Sequence, residues 1–198
     1  MIQYFNNVLD VLNDSIESID ENIYNSLVDQ CEKTIKSGHK IIASGLGKNV
    51  PICEKFVGTL NSLGIDARFL HTNTAVHGDL GMVSKDDLVI LLSKGGNTVE
   101  TVALAGYLKE RGTNTWLLAF NENGKTSEIV KQRLILRLKE EGDDWDIVPN
   151  NSTTVNLIVL QGIAIELGRR MGVTLDDFRV NHPGGGIGAR LRGEQIWK

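Results

Sequence analysis

The run Leu88-Val89-Ile90-Leu91-Leu92 constrains this chain more than any other stretch, because five consecutive aliphatic residues leave no face for water. Such a run reads as a strand buried on both sides, the kind that belongs to a parallel sheet covered by helices. It stops at Ser93-Lys94-Gly95-Gly96-Asn97-Thr98 and passes into a helical pattern at Val99-Glu100. The glycines permit a tight turn with outward-pointing backbone N–H groups, where Ser93, Thr98 and the start of the next helix can meet a phosphate. Many strand-to-helix turns carry Gly and Ser for geometry alone, so the loop by itself leaves both readings open.

The rest of the chain supplies the context. Phe5, Val8, Leu9, Leu12, Ile16, Ile19 and Ile23 recur at helical spacing, and Leu27, Val28, Cys31 and Ile35 form a second stripe that ends at Gly38, so residues 1–38 read as N-terminal helices. Strands and helices then alternate. Lys40–Ser44, Asp66–Leu70, Leu88–Leu92, Thr115–Phe120 and Leu134–Leu138 are the predicted strands; Val50–Leu63, Val99–Arg111 and Thr126–Lys131 are the predicted helices between them. Residues 139–151 form an acidic, irregular loop, and a long helix is expected from the Ser152-Thr153-Thr154 cap to Met171. The pattern predicts an α/β fold with a doubly wound, five-stranded parallel sheet and helices on both faces, a flavodoxin-like α/β/α sandwich in one domain spanning 1–198, its α/β core at 39–198. Ligands of such sheets bind beyond the carboxyl ends of the strands where strand order reverses, which is where Gly45–Asn49 and Ser93–Thr98 are expected to meet.

A length of 198 residues suits one core rather than two, and a net charge of −4 without a Lys/Arg cluster excludes a nucleic-acid footprint. Cys31 and Cys53 lack CxxC spacing and fall within apolar helical patterns, which reads as two buried free thiols in a reducing compartment. With no basic flank, no apolar leader and no membrane-length apolar window, the chain is expected to be cytoplasmic and without a membrane partner.

Four further segments accompany the glycine loop: Gly45-Leu46-Gly47-Lys48, His77-Gly78-Asp79-Leu80-Gly81, Pro149-Asn150-Asn151-Ser152-Thr153-Thr154 and His182-Pro183-Gly184-Gly185-Gly186-Ile187-Gly188. In this order, from about Ile41 to Leu191, they resemble the sugar isomerase (SIS) domain family, and within it the arabinose-5-phosphate isomerase group. Larger members of that group add a pair of nucleotide-binding (CBS) regulatory modules after the domain, which a chain ending at Lys198 is expected to lack. The resemblance implies an aldose–ketose isomerase that acts on a phosphorylated monosaccharide through an enediol, without cofactor or metal. Proton transfer between adjacent carbons needs a base, a donor for the carbonyl oxygen and positive charge near the developing enediolate.

The resemblance places Lys48 at the family's active-site lysine, although a solvated loop-tip lysine is the ordinary alternative. It places a catalytic glutamate at Glu100, where the helix macrodipole also favours a carboxylate, and a second at Glu141, with Glu140 beside it as an alternative. His182 matches a histidine that in this family reaches a neighbouring subunit's site, which implies a homodimer or homotetramer, and His77 is expected to orient substrate or to satisfy a helix-terminal turn. His77 and Asp79 show no metal-ligand spacing. Gly47, Asn49, Ser93, Lys94, Gly95, Gly96, Asn97, Thr98, Ser152 and Thr153 complete the expected phosphate and sugar contacts.

Two hydroxyls of the family pattern are absent. Asn49 follows Lys48 where the family has serine, and Gly95 replaces the second serine of Ser-x-Ser-Gly-x-Ser/Thr-x-Glu. Lys94 is an addition that can offset the loss, as can the Asn49 amide. The acidic loop also departs, with Trp145 expected to pack on a sugar face or on another subunit. Besides the pentose-phosphate isomerase, the residues admit an isomerase for another phosphosugar, such as a hexulose 6-phosphate, and a sensor that binds a sugar phosphate without chemistry. A DNA-reading role is disfavoured by residues 1–38, which carry few lysines and no arginine.

Overall fold

A computed structural model describes residues 2–194. Two helices, α1 (Ile2–Glu17) and α2 (Glu21–Lys36), open the chain. The first apolar stripe, read through to Ile23, is broken between them because the Asp20 carboxylate accepts the N–H groups of Asn22 and Ile23 at 2.9 and 3.1 Å and starts a new helix.

The sheet contains β1 (Ile41–Gly45), β2 (Ala67–His71), β3 (Leu88–Leu92), β4 (Asn114–Ala119) and β5 (Gln132–Ile135), all parallel, in the order β2-β1-β3-β4-β5. Around it lie α3 (Asn49–Ser62), the single turn α4 (Thr72–Ala75), α5 (Val99–Glu110), the short α6 (Lys125–Ile129) and the long α7 (Asn151–Arg170), followed by α8 (Leu175–Asn181) and α9 (Gly185–Leu191). Side chains alternate across the strands. Ile41, Ala43, Leu88, Ile90, Leu92, Trp116 and Leu118 share one core with α2, α3 and α7, whereas Ile42, Val89, Leu91, Leu117 and Ala119 pack with Leu104, Ala105 and Leu108 of α5. Every residue of β3 is buried, as its aliphatic run predicts.

One predicted element required revision, and two segments without a predicted structure proved ordered. The last strand is Gln132–Ile135 rather than 134–138, because β5 is an edge strand whose register is set by pairing Trp116 with Gln132 and Ala119 with Ile135, not by an apolar run. The β2-to-β3 connection contains α4 and a 3-10 turn at Asp79–Met82. The glycine-rich segment after His182 enters α9, and α8 before it starts with a capping box between Thr174 and Asp177.

Helices α3 and α7 run side by side in the same direction. Asn49 meets Asn156 near their starts, Thr59 donates to Gln161 at 2.9 Å further along, and Gly168 lies so near Leu63 that a side chain there would come within 3.0 Å of it. Both helices therefore begin at the carboxyl edge of the sheet and finish at the amino edge.

Candidate functional site

Strand order reverses between β1 and β3, and the loops leaving those strands open the crevice expected of this topology. At the end of β1, Gly45 must lack a side chain, since a Cβ would sit 2.8 Å from that of Asn49; Gly47 turns the chain at φ +60°. Lys48 then opens α3 with an exposed side chain that forms no hydrogen bond or ion pair among the described residues. Asn49 accepts from Asn156 Nδ2 at 3.2 Å, which ties the β1 turn to α7.

The loop Ser93–Thr98 is held from behind by the β4–α6 connection. Lys94 O accepts from Phe120 N at 3.0 Å, Gly95 O from the Asn97 and Asn121 amides at 3.1 Å each, and Gly96 O from Thr126 N and Oγ1 at 2.9 Å each. Asn97 Oδ1 accepts from Lys125 N at 3.0 Å, so the Asn97 side chain serves loop shape rather than an incoming ligand. Gly124 sits against the loop where a Cβ would meet Gly95 O at 2.6 Å. With its carbonyls engaged behind, the loop presents its opposite polarity to the crevice: no backbone N–H from Gly95 to Val99 has an acceptor among the described residues. The hydroxyls of Ser93 and Thr98 are also unpartnered among those residues, and α5 begins immediately after them. A concave run of free N–H donors at a helix start favours an oxyanion.

Glu141 proves to be an anchor at this site. Its carboxylate is fully buried and accepts Ser152 Oγ at 2.6 Å, Ser152 N at 2.9 Å and Asn150 N at 3.0 Å, and Lys94 Nζ lies 2.6 Å from Oε1. Burial alone would raise its carboxyl pKa; the Lys94 ammonium and the bonds from Ser152 and Asn150 outweigh that and hold it below the ordinary range. The predicted hydroxyl cap on α7 is thus replaced by a carboxylate from 11 residues upstream, which satisfies N–H groups that the helix leaves unpaired. Ser152 spends its O–H on Glu141, and Thr153 Oγ1 donates to Asn150 O at 2.9 Å, so neither presents a free O–H to a sugar in this state. Glu140 contributes its carbonyl, which accepts from Asn151 Nδ2 at 3.1 Å.

Glu100 occupies the first turn of α5, exposed and without a partner among the described residues, and is the carboxylate open to a ligand there. Gly47, Lys48, Asn49, the Ser93–Thr98 loop, Glu100, Glu141, Ser152 and Thr153 therefore assemble at one edge of the sheet. Of the two motif histidines, His182 does not join them. His77 lies exposed on the crossover that leaves β2 beside Ser44, where Thr72 Oγ1 is 3.0 Å from Ser44 Oγ, and that reaches the far end of α5 at Leu80, whose carbonyl accepts from Arg111 at 2.8 Å.

His182 lies at the opposite edge. It follows Asn181, whose amide donates to Ser62 O at the last residue of α3, and the 14 residues of α3 put that end roughly 20 Å from Lys48. The imidazole stacks on Phe178 at 3.9 Å, and Nδ1 is 3.0 Å from Phe178 O. A carbonyl can only accept, so Nδ1–H donates to it, and Nε2 is the ring nitrogen without a partner among the described residues. Asn156, which sequence reasoning missed, links α7 to the β1 turn; a buried amide on the stripe Val155, Val159 and Leu160 was its signal.

Residues 34–167 match the sequence profile of the SIS domain. The chain belongs to the SIS domain family. Arabinose 5-phosphate isomerase of Pseudomonas aeruginosa is 33% identical over 178 residues, 90% of this chain and 55% of that enzyme. This SIS chain thus spans about half the length of the curated relatives it matches. An Escherichia coli CFT073 protein whose structure was solved in complex with a sugar phosphate superposes with a TM-score of 0.84 at 30% identity, covering 91% of this chain and 94% of that one. A candidate sugar-phosphate isomerase of Listeria monocytogenes superposes at 0.85 with 26% identity, covering 92% and 94%. Among the described residues of this SIS domain no helix is long and apolar enough to cross a membrane, and no three His, Cys, Asp or Glu side chains converge as a metal site.

Proposed function

We propose that this SIS domain is an aldose–ketose isomerase for a sugar phosphate, with a pentose phosphate of the arabinose 5-phosphate type as the first substrate to test. The observation that carries the reading is the one-sided polarity of Ser93–Thr98, with carbonyls bound behind and free N–H groups in front, beside an exposed carboxylate on Glu100. The phosphate binds to the loop, which brings the sugar's carbonyl end toward Glu100 and Lys48. Glu100 removes a proton from the carbon next to the carbonyl, the electron pair forms the enediol double bond, and Lys48 offsets charge on the oxygen. Return of the proton to the neighbouring carbon completes the isomerisation with no net redox change and no cofactor. His182 of a second copy serves the oxygens through Nε2, because its own Lys48 is a helix length away, and a homodimer or homotetramer is the working assembly.

Incubation with pentose and hexose phosphates in deuterated water tests the reading, since enediol formation incorporates deuterium at the carbon beside the carbonyl. Glu100→Gln is expected to abolish exchange while ligand binding persists. Binding without exchange in the unaltered protein would establish the sensor reading, which the missing hydroxyl at Gly95 favours, and a fully active monomer would refute the role of His182.

A further inference from the structure

The Lys94–Glu141 pair joins an exposed cation to a sealed anion, and the two ends have unequal alternatives. The Lys94 side chain is 44% exposed and Glu141 is 0% exposed. Lys94 leaves the backbone within the loop that presents the free N–H groups, one residue before Gly95, and apart from the two adjoining residues nothing lies within 4 Å of where a Gly95 side chain would begin. Lys94 is therefore the immediate chain neighbour of the residue that lacks the serine hydroxyl. We propose that Lys94 exchanges partners when a ligand binds, leaving Glu141 for the phosphate, so that the ligand's anion and the buried carboxylate compete for one ammonium.

The proposal rests on the reading of Ser93–Thr98 as a phosphate cradle, and three observations support the exchange itself. Glu141 is not orphaned by it, because Ser152 Oγ, Ser152 N and Asn150 N continue to donate to it. The ammonium is not enclosed with its partner, since 44% of the Lys94 side chain is exposed to solvent. The neighbouring acids do not hold Lys94: Asp146 Oδ1 accepts Glu141 N at 2.6 Å, and Glu141 is the carboxylate in ion-pair contact with Lys94 among the described residues. A phosphate dianion also carries more charge than neutral N–H donors compensate, and charge-assisted bonds are the stronger kind. The consequence reaches the chemistry. Glu141 keeps its helix cap but loses its cation only when phosphate is present, which opens one carboxylate lone pair toward the crevice; a sugar without phosphate leaves it closed.

Isothermal titration with inorganic phosphate, on the unaltered protein, Lys94→Met, Glu141→Gln and the double variant, separates the possibilities, with circular dichroism confirming that each is folded. Lys94→Met, at an exposed side chain, is expected to weaken phosphate binding about tenfold or more. Glu141→Gln releases Lys94 from competition and is expected to tighten it about threefold or more, an effect that vanishes in the Lys94→Met background. Unchanged affinity in Lys94→Met would leave Lys94 as a strut and overturn the exchange, as would a Glu141→Gln effect of equal size with and without Lys94. If Glu141→Gln does not fold, Glu141→Asp, which shortens the carboxylate away from Lys94, takes its place with the same expected direction. Failure of the unaltered protein to bind phosphate would instead refute the cradle.

Discussion

Replacing Glu141 by alanine removes the support of α7 at its first turn. The carboxylate accepts two helix-start N–H groups, from Asn150 and Ser152, and such a cap is worth about 1–2 kcal/mol. The Ser152 hydroxyl donates to it at 2.6 Å in a fully buried setting, which adds about 1.5–3 kcal/mol for a bond to a charged acceptor. Lys94 is nearly half exposed and adds about 0.5 kcal/mol or less. These bonds share one carboxylate and do not add fully, so the expected loss is about 3 kcal/mol. For a chain of this length that lowers Tm by about 6–12 °C. Urea unfolding at pH 7 reads the difference directly. The folded-state carboxyl pKa is depressed, so the stabilisation is present above the unfolded value and is lost as pH falls through the lower folded one; the two proteins are expected to start converging in stability as pH falls below the unfolded value of about 4.3. A loss under about 1 kcal/mol at neutral pH, or one independent of pH, would show that the carboxylate does not anchor α7.

Gly95→Ser restores the absent hydroxyl in open space and is expected to tighten phosphate binding by about twofold to tenfold in titration calorimetry, with stability unchanged. Gly124→Ala forces a Cβ to within 2.6 Å of Gly95 O and 2.8 Å of Gly96 Cα, both backbone atoms; it is expected to cost about 1–3 kcal/mol in urea unfolding and to weaken phosphate binding although position 124 carries no ligand donor. Burial pushes the thiols of Cys31 and Cys53 up to about 12, so neither is expected to react with a thiol reagent at pH 8 until denaturant is added.

The parts of this molecule that were legible in its sequence are those governed by local physics. The aliphatic run of β3 admits one environment, and its bounds, its burial and the helix start at Val99 are all as read. The edge strand β5 carries a weaker pattern, exposed at Gln132 and buried at Leu134, and its position depends on the pairing partner. At the site, the glycines and hydroxyls of Ser93–Thr98 were visible as an anion loop, but the assignment of Asn97 to Lys125 depends on a segment 28 residues away. The anchoring of α7 by Glu141 was hidden for a related reason, because an irregular loop separates the carboxylate from the N–H groups that it satisfies. The separation of His182 from Lys48 follows from the shared direction of α3 and α7, which no local pattern encodes.

The loop behind the cradle has a thermodynamic consequence. Because Phe120, Asn121, Lys125 and Thr126 already hold Ser93–Thr98 in shape, the entropy of ordering that segment is charged to folding rather than to ligand capture. An arriving phosphate therefore meets a finished backbone, its association is not slowed by loop rearrangement, and substitutions in residues 120–126 alter affinity through the pre-organisation of a loop whose ligand they never touch.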